Sequence, residues 1–176
     1  MIRAYVITGK PGAGKTTVLK NIALTLGNCG GFYTTTLLAN SKKQGYKIVT
    51  LDGRSGMLAH VSYHRNRVQG CGVTLDTLDS IGLLSLYKAL AINRCIILDE
   101  IGPMHLVSKR FQEAIVHILE KDVPLIATAG SHLWTDEMLL RSDVQVFHLT
   151  PNNREEIAHT ICDLVQGRNN HGRVCE

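Results

Sequence analysis

Apolar positions along the chain switch repeatedly between two periods. Ile2, Tyr5, Val6 and Ile7 form a short continuous apolar run, and Val18, Leu19, Ile22, Ala23 and Leu26 then recur at helical spacing. The spacing predicts a strand over 2–8, a glycine-rich turn, and a helix stopped by Gly27 and Asn28. Residues 31–36 are aromatic and β-branched and predict a second strand. Residues 46–51 and 57–62 flank Asp52-Gly53 and predict a β-hairpin. The stretch from Leu75 to Leu90 has helical periodicity, and Cys95-Ile96-Ile97-Leu98 is a buried-strand run ending in two acids, Asp99 and Glu100.

The alternation continues to the end. Ser108 is placed to cap a helix whose apolar face is Phe111, Ala114, Ile115, Ile118 and Leu119; residues 123–127 read as a strand, 135–141 as a short helix and 144–149 as a strand. Thr150-Pro151 reads as an N-cap and first-turn proline of a last helix burying Ile157, Ile161, Leu164 and Val165. The expectation is an α/β fold: a three-layer P-loop architecture with a mostly parallel sheet, right-handed crossovers and an inserted β-hairpin. One domain spans 1–166, and the polar stretch 167–176 reads as a flexible tail.

Composition changes this little. The chain has 176 residues, 44% hydrophobic and 19% charged, enough to bury a core. No apolar run approaches the roughly 20 residues of a spanning helix, so neither export nor a membrane partner is expected. The net charge of +4 is mild and its basic residues scattered, apart from the run His64-Arg65-Asn66-Arg67, which reads as a solvated loop; nucleic acid is not implied. His60 and His64 lie four apart outside a helical pattern and do not suggest a metal site. Five widely spaced cysteines, with no C-x-x-C, fit reduced thiols in a cytoplasm.

Candidate chemistry begins at Gly9-Lys10-Pro11-Gly12-Ala13-Gly14-Lys15-Thr16, a G-x-x-x-x-G-K-S/T loop set between a strand and a helix. Backbone amides can surround a triphosphate only where no Cβ intervenes, hence Gly9, Gly12 and Gly14. Lys15 is expected to reach the β- and γ-phosphates and Thr16 to ligate Mg²⁺, with Thr17 supporting the loop. At the end of its strand Asp99 would hold Mg²⁺ through a water, and Glu100 would orient the attacking water as base. This acid favours hydrolysis over two alternatives, a small-molecule nucleotide or nucleoside kinase and a nucleotide-dependent switch with negligible turnover.

These blocks, with GFYT at 31–34, GYKIVTLDGRSGMLA at 45–59, GCGV at 70–73, LDEIGPMHLVS at 98–108 with Phe111, and DVQVFHLTPNNRE at 143–155, resemble the thermophile-type nucleoside-triphosphatase family, which includes the cancer-related nucleoside-triphosphatase. The resemblance implies slow, Mg²⁺-dependent hydrolysis of ATP, GTP and other nucleoside triphosphates, without a firmly established protein partner. It carries the nucleotide loop onto 9–16, the acidic pair onto Asp99 and Glu100, and a position near the nucleotide, where a guanidinium could stack on a base, onto Arg154. The chain departs from the family at Thr35 and the residues following it, at Cys71 and at His105, where the family has charged or tyrosine side chains. Arg54 is the remaining candidate for an arginine finger supplied in cis.

Overall fold

The computed structural model describes residues 1–92, 94–130 and 133–171, with the side chains of 133, 134 and 169–171 left aside. The chain runs β1 (Ala4–Thr8), α1 (Lys15–Leu26), β2 (Cys29–Ala39), β3 (Lys42–Thr50), β4 (Ser55–His60), β5 (Arg67–Val68), β6 (Cys71–Val73) and α2 (Leu75–Thr77). A π-helical stretch (Leu78–Leu83) leads into α3 (Leu84–Ala91). β7 (Cys95–Ile101), α4 (Pro103–Leu106), α5 (Lys109–Leu119), β8 (Leu125–Ala129), α6 (Leu133–Leu139), β9 (Val144–His148) and α7 (Arg154–His171) complete it.

The strands form one nine-stranded sheet in the order β5-β6-β4-β3-β2-β7-β8-β1-β9. The expectation of a mostly parallel sheet needs correction. β2, β7, β8, β1 and β9 run parallel, but β3, β4, β6 and β5 extend the sheet beyond β2 by antiparallel pairing. The cause is local: Asn40 and Ser41 both take positive φ, 49° and 60°, forming a two-residue turn that folds β3 straight back on β2. A second tight turn, at Gln69-Gly70 with φ 50° and 85°, pairs β5 with β6. Short connections of this kind can only join antiparallel strands.

Two cores lie on the two faces. On one, Val18, Leu19 and Ile22 of α1 and Ile157, Ile161 and Val165 of α7 pack on Tyr5, Ile7, Ile97 and Ile126. On the other, the π-helical stretch, α3 and α5 cover Phe32, Ile48, Leu98 and Ala127. Ser108 caps α5 as expected, its hydroxyl accepting from the Phe111 amide at 3.2 Å. The last helix opens at Arg154, not Pro151: Asn153 ties back to the Thr150 amide at 2.8 Å, leaving Pro151 in the preceding turn. Leu164 is 37% exposed rather than part of the buried face. The helix also continues through 167–171, because Arg168 bonds the Ile2 carbonyl at 2.7 Å and pairs with Asp122; residues 172–176 lie outside the described residues. Among the described residues no helix is long and apolar enough to cross a membrane.

Candidate functional site

The parallel strands β1, β7 and β8 end on one side of the sheet, and a cleft of about 920 Å³ opens there. The size suits a small-molecule ligand. Gly9, Lys10, Pro11, Gly12, Gly14, Lys15 and Thr16 form one wall; Asp99, Glu100 and Thr128 form the floor. Ala13 is buried beneath the loop, and Thr17 is exposed on α1 outside the lining. Gly14 takes φ +96° directly before α1, a left-handed conformation that glycine adopts without strain. Neither a capping side chain nor a first-turn acid neutralises this helix end. Its first-turn amides and positive dipole end are therefore available to an anion. The Lys15 ammonium donates to the Gly9 carbonyl at 2.8 Å and to that of Lys10 at 3.2 Å, across the loop mouth.

β8 lies between the strand that feeds the loop and the strand that carries the acids. Its last turnward hydroxyl bridges the gap. Thr128 Oγ1 donates to Asp99 Oδ1 at 2.7 Å and accepts from the Glu100 amide at 2.7 Å. The β7–β8 ladder shifts register between Leu98 and Ile101, and Glu100 sits at φ +62°. Bulges of this type re-aim side chains next to functional sites, and a non-glycine residue at positive φ stores strain there. The bulge pushes both acids out of the ladder toward the cleft.

Asp99 is 1% exposed. Its Oδ1 and Oδ2 accept from Thr16 Oγ1 at 3.0 and 2.8 Å, and Oδ2 also accepts from the Thr34 amide and hydroxyl, each at 3.2 Å. Every one of these donors is neutral. A buried carboxylate solvated only by neutral groups, beside a threonine hydroxyl, is a hard-oxygen set that fits a divalent cation such as Mg²⁺. Glu100 is held above the usual carboxylate range, first by desolvation in the cleft and then by the neighbouring Asp99 charge; Lys15 and Lys43 pull it back down. That places a basic carboxylate beside the cation set.

Arg154 does reach the loop, donating through Nε to the Ala13 carbonyl at 2.9 Å and lying over Gly14. Its observed contact is with the loop backbone. Arg54 does not reach the cleft. Its hairpin turn packs at the opposite end of β2, where the Leu51 amide bonds the Gly31 carbonyl, and its guanidinium pairs with Asp52 at 3.2 Å. The departures Cys71 and His105 are both buried, at 0% and 1%, and neither lines the cleft. Arg67 spends its guanidinium on the Tyr63 and Gly70 carbonyls, both at 2.9 Å, and His60 on the Ser62 turn, at 2.6 Å to its hydroxyl. No group of three or more metal-ligating His, Cys, Asp or Glu occurs among the described residues.

Thr34, Thr36, Thr128, Asp136 and His148 belong to the site's surroundings but escape sequence reasoning. A polar residue closing an apolar strand, as Thr128 does, is the only signal, and it is shared with ordinary strand ends.

The family model described as NTPase matches residues 4–162. The nucleoside-triphosphatase THEP1 of Thermotoga petrophila is 39% identical over 171 residues, covering 94% of this chain and 96% of its own. That of Thermotoga maritima is 38% identical over 164 residues, covering 92% and 94%. Among solved structures, THEP1 from the hyperthermophile Aquifex aeolicus superposes with a TM-score of 0.83 at 29% identity, covering 92% of this chain and 98% of that one. A human cancer-related nucleoside triphosphatase gives 0.80 at 31%, covering 94% and 98%.

Proposed function

The chain belongs to the NTPase family, and we propose on that footing that it is a Mg²⁺-dependent hydrolase of ATP, GTP and other nucleoside triphosphates, releasing the diphosphate and phosphate. The observation that carries the reading is the bond from Thr16 to Asp99 at 2.8 Å, which joins the nucleotide loop to the acidic strand across 83 residues of sequence. The loop amides and Lys15 bind the phosphates. Thr16 and, through a water, Asp99 would hold the cation, and Mg²⁺ there would neutralise charge on the phosphate oxygens. Glu100 orients a water and takes its proton, a role that its raised affinity for protons supports. Arg154 positions the loop through Ala13.

Slow turnover fits the charges available. Among the described residues lining the cleft the cations are Lys10 and Lys15, with Arg54 turned away. A cis arginine is worth roughly 10³–10⁵ in rate where it operates. The deciding assay is phosphate release from each triphosphate with Mg²⁺ and no added acceptor, beside Lys15→Ala and Glu100→Gln. Glu100→Gln is expected to retain nucleotide and lose roughly 10²–10⁴-fold in turnover. Unchanged release in Glu100→Gln removes its role; a strict requirement for a nucleoside acceptor removes hydrolysis altogether.

A further inference from the structure

Three cysteines gather at the end of the sheet remote from the cleft. Cys29 opens β2, Cys95 opens β7, and the two are direct partners in the parallel ladder. Both belong to the face covered by α1 and α7, where Cys162 of α7 also packs; Cys95 and Cys162 are buried and Cys29 is half-buried. Neighbouring strands lie about 4.8 Å apart, within the ~4.4–6.8 Å Cα separation that a disulfide spans. All three thiols are free.

Access differs between them. Cys29 is half-buried, whereas Cys95 and Cys162 are buried; the cations Lys88 and Arg94 stand on the α3 side of the same strand end, around a cavity of about 210 Å³ that borders Cys29. We propose that Cys29 and Cys95 are a reactive dithiol: a small hydroperoxide oxidises Cys29, the less buried partner, and Cys95 resolves the product into a Cys29–Cys95 disulfide.

The proton distribution agrees with that division of labour. The Cys29 thiol is lowered, chiefly by the hydrogen bond from Cys95 and, against the effect of burial, by the Arg94 charge. Cys95 is pushed well up by its contact with Cys29 and by burial. The sulfur that ionises more readily, and is therefore the better nucleophile, is the less buried one. In the first step the Cys29 thiolate attacks a peroxide oxygen, the O–O bond breaks, and the departing oxygen takes a proton to leave as water or alcohol. Sulfur is oxidised by two electrons to sulfenic acid and the peroxide is reduced. In the second step the Cys95 sulfur attacks the Cys29 sulfur, the S–O bond breaks, and hydroxide leaves with the Cys95 proton as water. Two thiols and one hydrogen peroxide give one disulfide and two waters.

The bond would staple β2 to β7 at their first residues. Thr34 and Asp99 lie on the same two strands, about 13–17 Å further along at strand rise, so the dithiol is separate from the phosphate chemistry.

The test is intact-mass and peptide mass spectrometry of the full reduced chain treated with hydrogen peroxide and then alkylated. The expected product has lost the mass of two hydrogens and carries a Cys29–Cys95 linked peptide, at a rate independent of protein concentration and reversible by dithiothreitol. Cys95→Ser is expected to stop at a Cys29 sulfenic acid that dimedone traps, Cys29→Ser to leave Cys95 reduced, and Cys162→Ser to behave as the parent chain. Nucleotide binding at the distant cleft verifies that each variant is folded. Three results would overturn the proposal: Cys29 running on to sulfinic acid while Cys95 still alkylates, a linkage to Cys162 or Cys71 instead, or the same linkage forming equally fast in urea.

Discussion

His105 provides a measurable consequence of an internal mismatch. Its ring packs beside both Phe32 and Phe111, tilted 33° to each with centroids at 5.8 and 5.2 Å, and neither ring nitrogen has a partner that meets strict hydrogen-bond geometry. Burial lowers its pKa from 6.5 to about 4, with the Glu100 backbone working the other way. Folded His105 is therefore neutral across the range in which the unfolded chain takes up a proton. Stability from this site is complete above the unfolded value and is lost as pH falls toward the folded one. Between about pH 7.5 and about pH 5 the loss comes to roughly 2 kcal/mol, and for a chain of this size each kcal/mol moves the melting temperature by about 2–4 °C. Replacing His105 with Leu removes the titration and a buried ring nitrogen without a partner, a group costing about 1–3 kcal/mol. We expect His105→Leu to be at least as stable as the parent at about pH 7.5 and to gain a further ~2 kcal/mol over it at about pH 5. Urea or thermal melts of both proteins at matched pH give the difference, in which every other titrating group cancels. A stability difference that does not change with pH would refute the reasoning.

Other outcomes follow from the site. Because Lys15 and Lys43 both oppose the rise in the Glu100 pKa, Lys43→Met should push that pKa higher, moving the acid limb of the turnover profile to higher pH; an unshifted limb in pH-rate measurements would show that Lys43 does not act on the base. Thr128→Val removes one donor to Asp99 and the acceptor of the Glu100 amide. Loss of such a supporting group typically costs ~10–100-fold in metal affinity or activity, which a Mg²⁺ titration of turnover would read, and unchanged Mg²⁺ dependence would count against its role. Arg154→Ala breaks the bond to Ala13 that steadies the loop. Nucleotide affinity should weaken about 10–100-fold, the equivalent of the roughly 1.5–3 kcal/mol of one charged hydrogen bond, whereas an unchanged dissociation constant by calorimetry would leave Arg154 a surface residue.

The correspondence between sequence and site is uneven for identifiable reasons. That the loop from Gly9 to Thr16 forms one wall of the cleft was legible because the residue types proposed to bind phosphate follow a fixed local spacing. Asp99 and Glu100 were legible because an apolar run ending in acids marks a strand end. Thr34 and Thr128 were not, since a threonine carries little chemistry until a buried carboxylate is set beside it. Arg54 shows the converse: its charge and motif were visible, but the end of the sheet to which the β3–β4 turn returns was not, and that end is opposite the cleft.

Local pattern was enough for the strand–loop–helix unit proposed to receive phosphate, for the acidic strand and for an alternating α/β order, all of which depend on neighbours a few residues apart. Packing of the whole chain is what stands β8 between the loop strand and the acidic strand, bonds Thr128 to both acids and brings Thr16 to Asp99. It also sets four of the nine strands antiparallel beyond β2. That outcome hung on two residues, Asn40 and Ser41, adopting left-handed backbone. Strand order and cross-strand register arise from packing the whole chain over two shared cores, and a linear pattern of apolar and polar positions contains no term for which strands become neighbours.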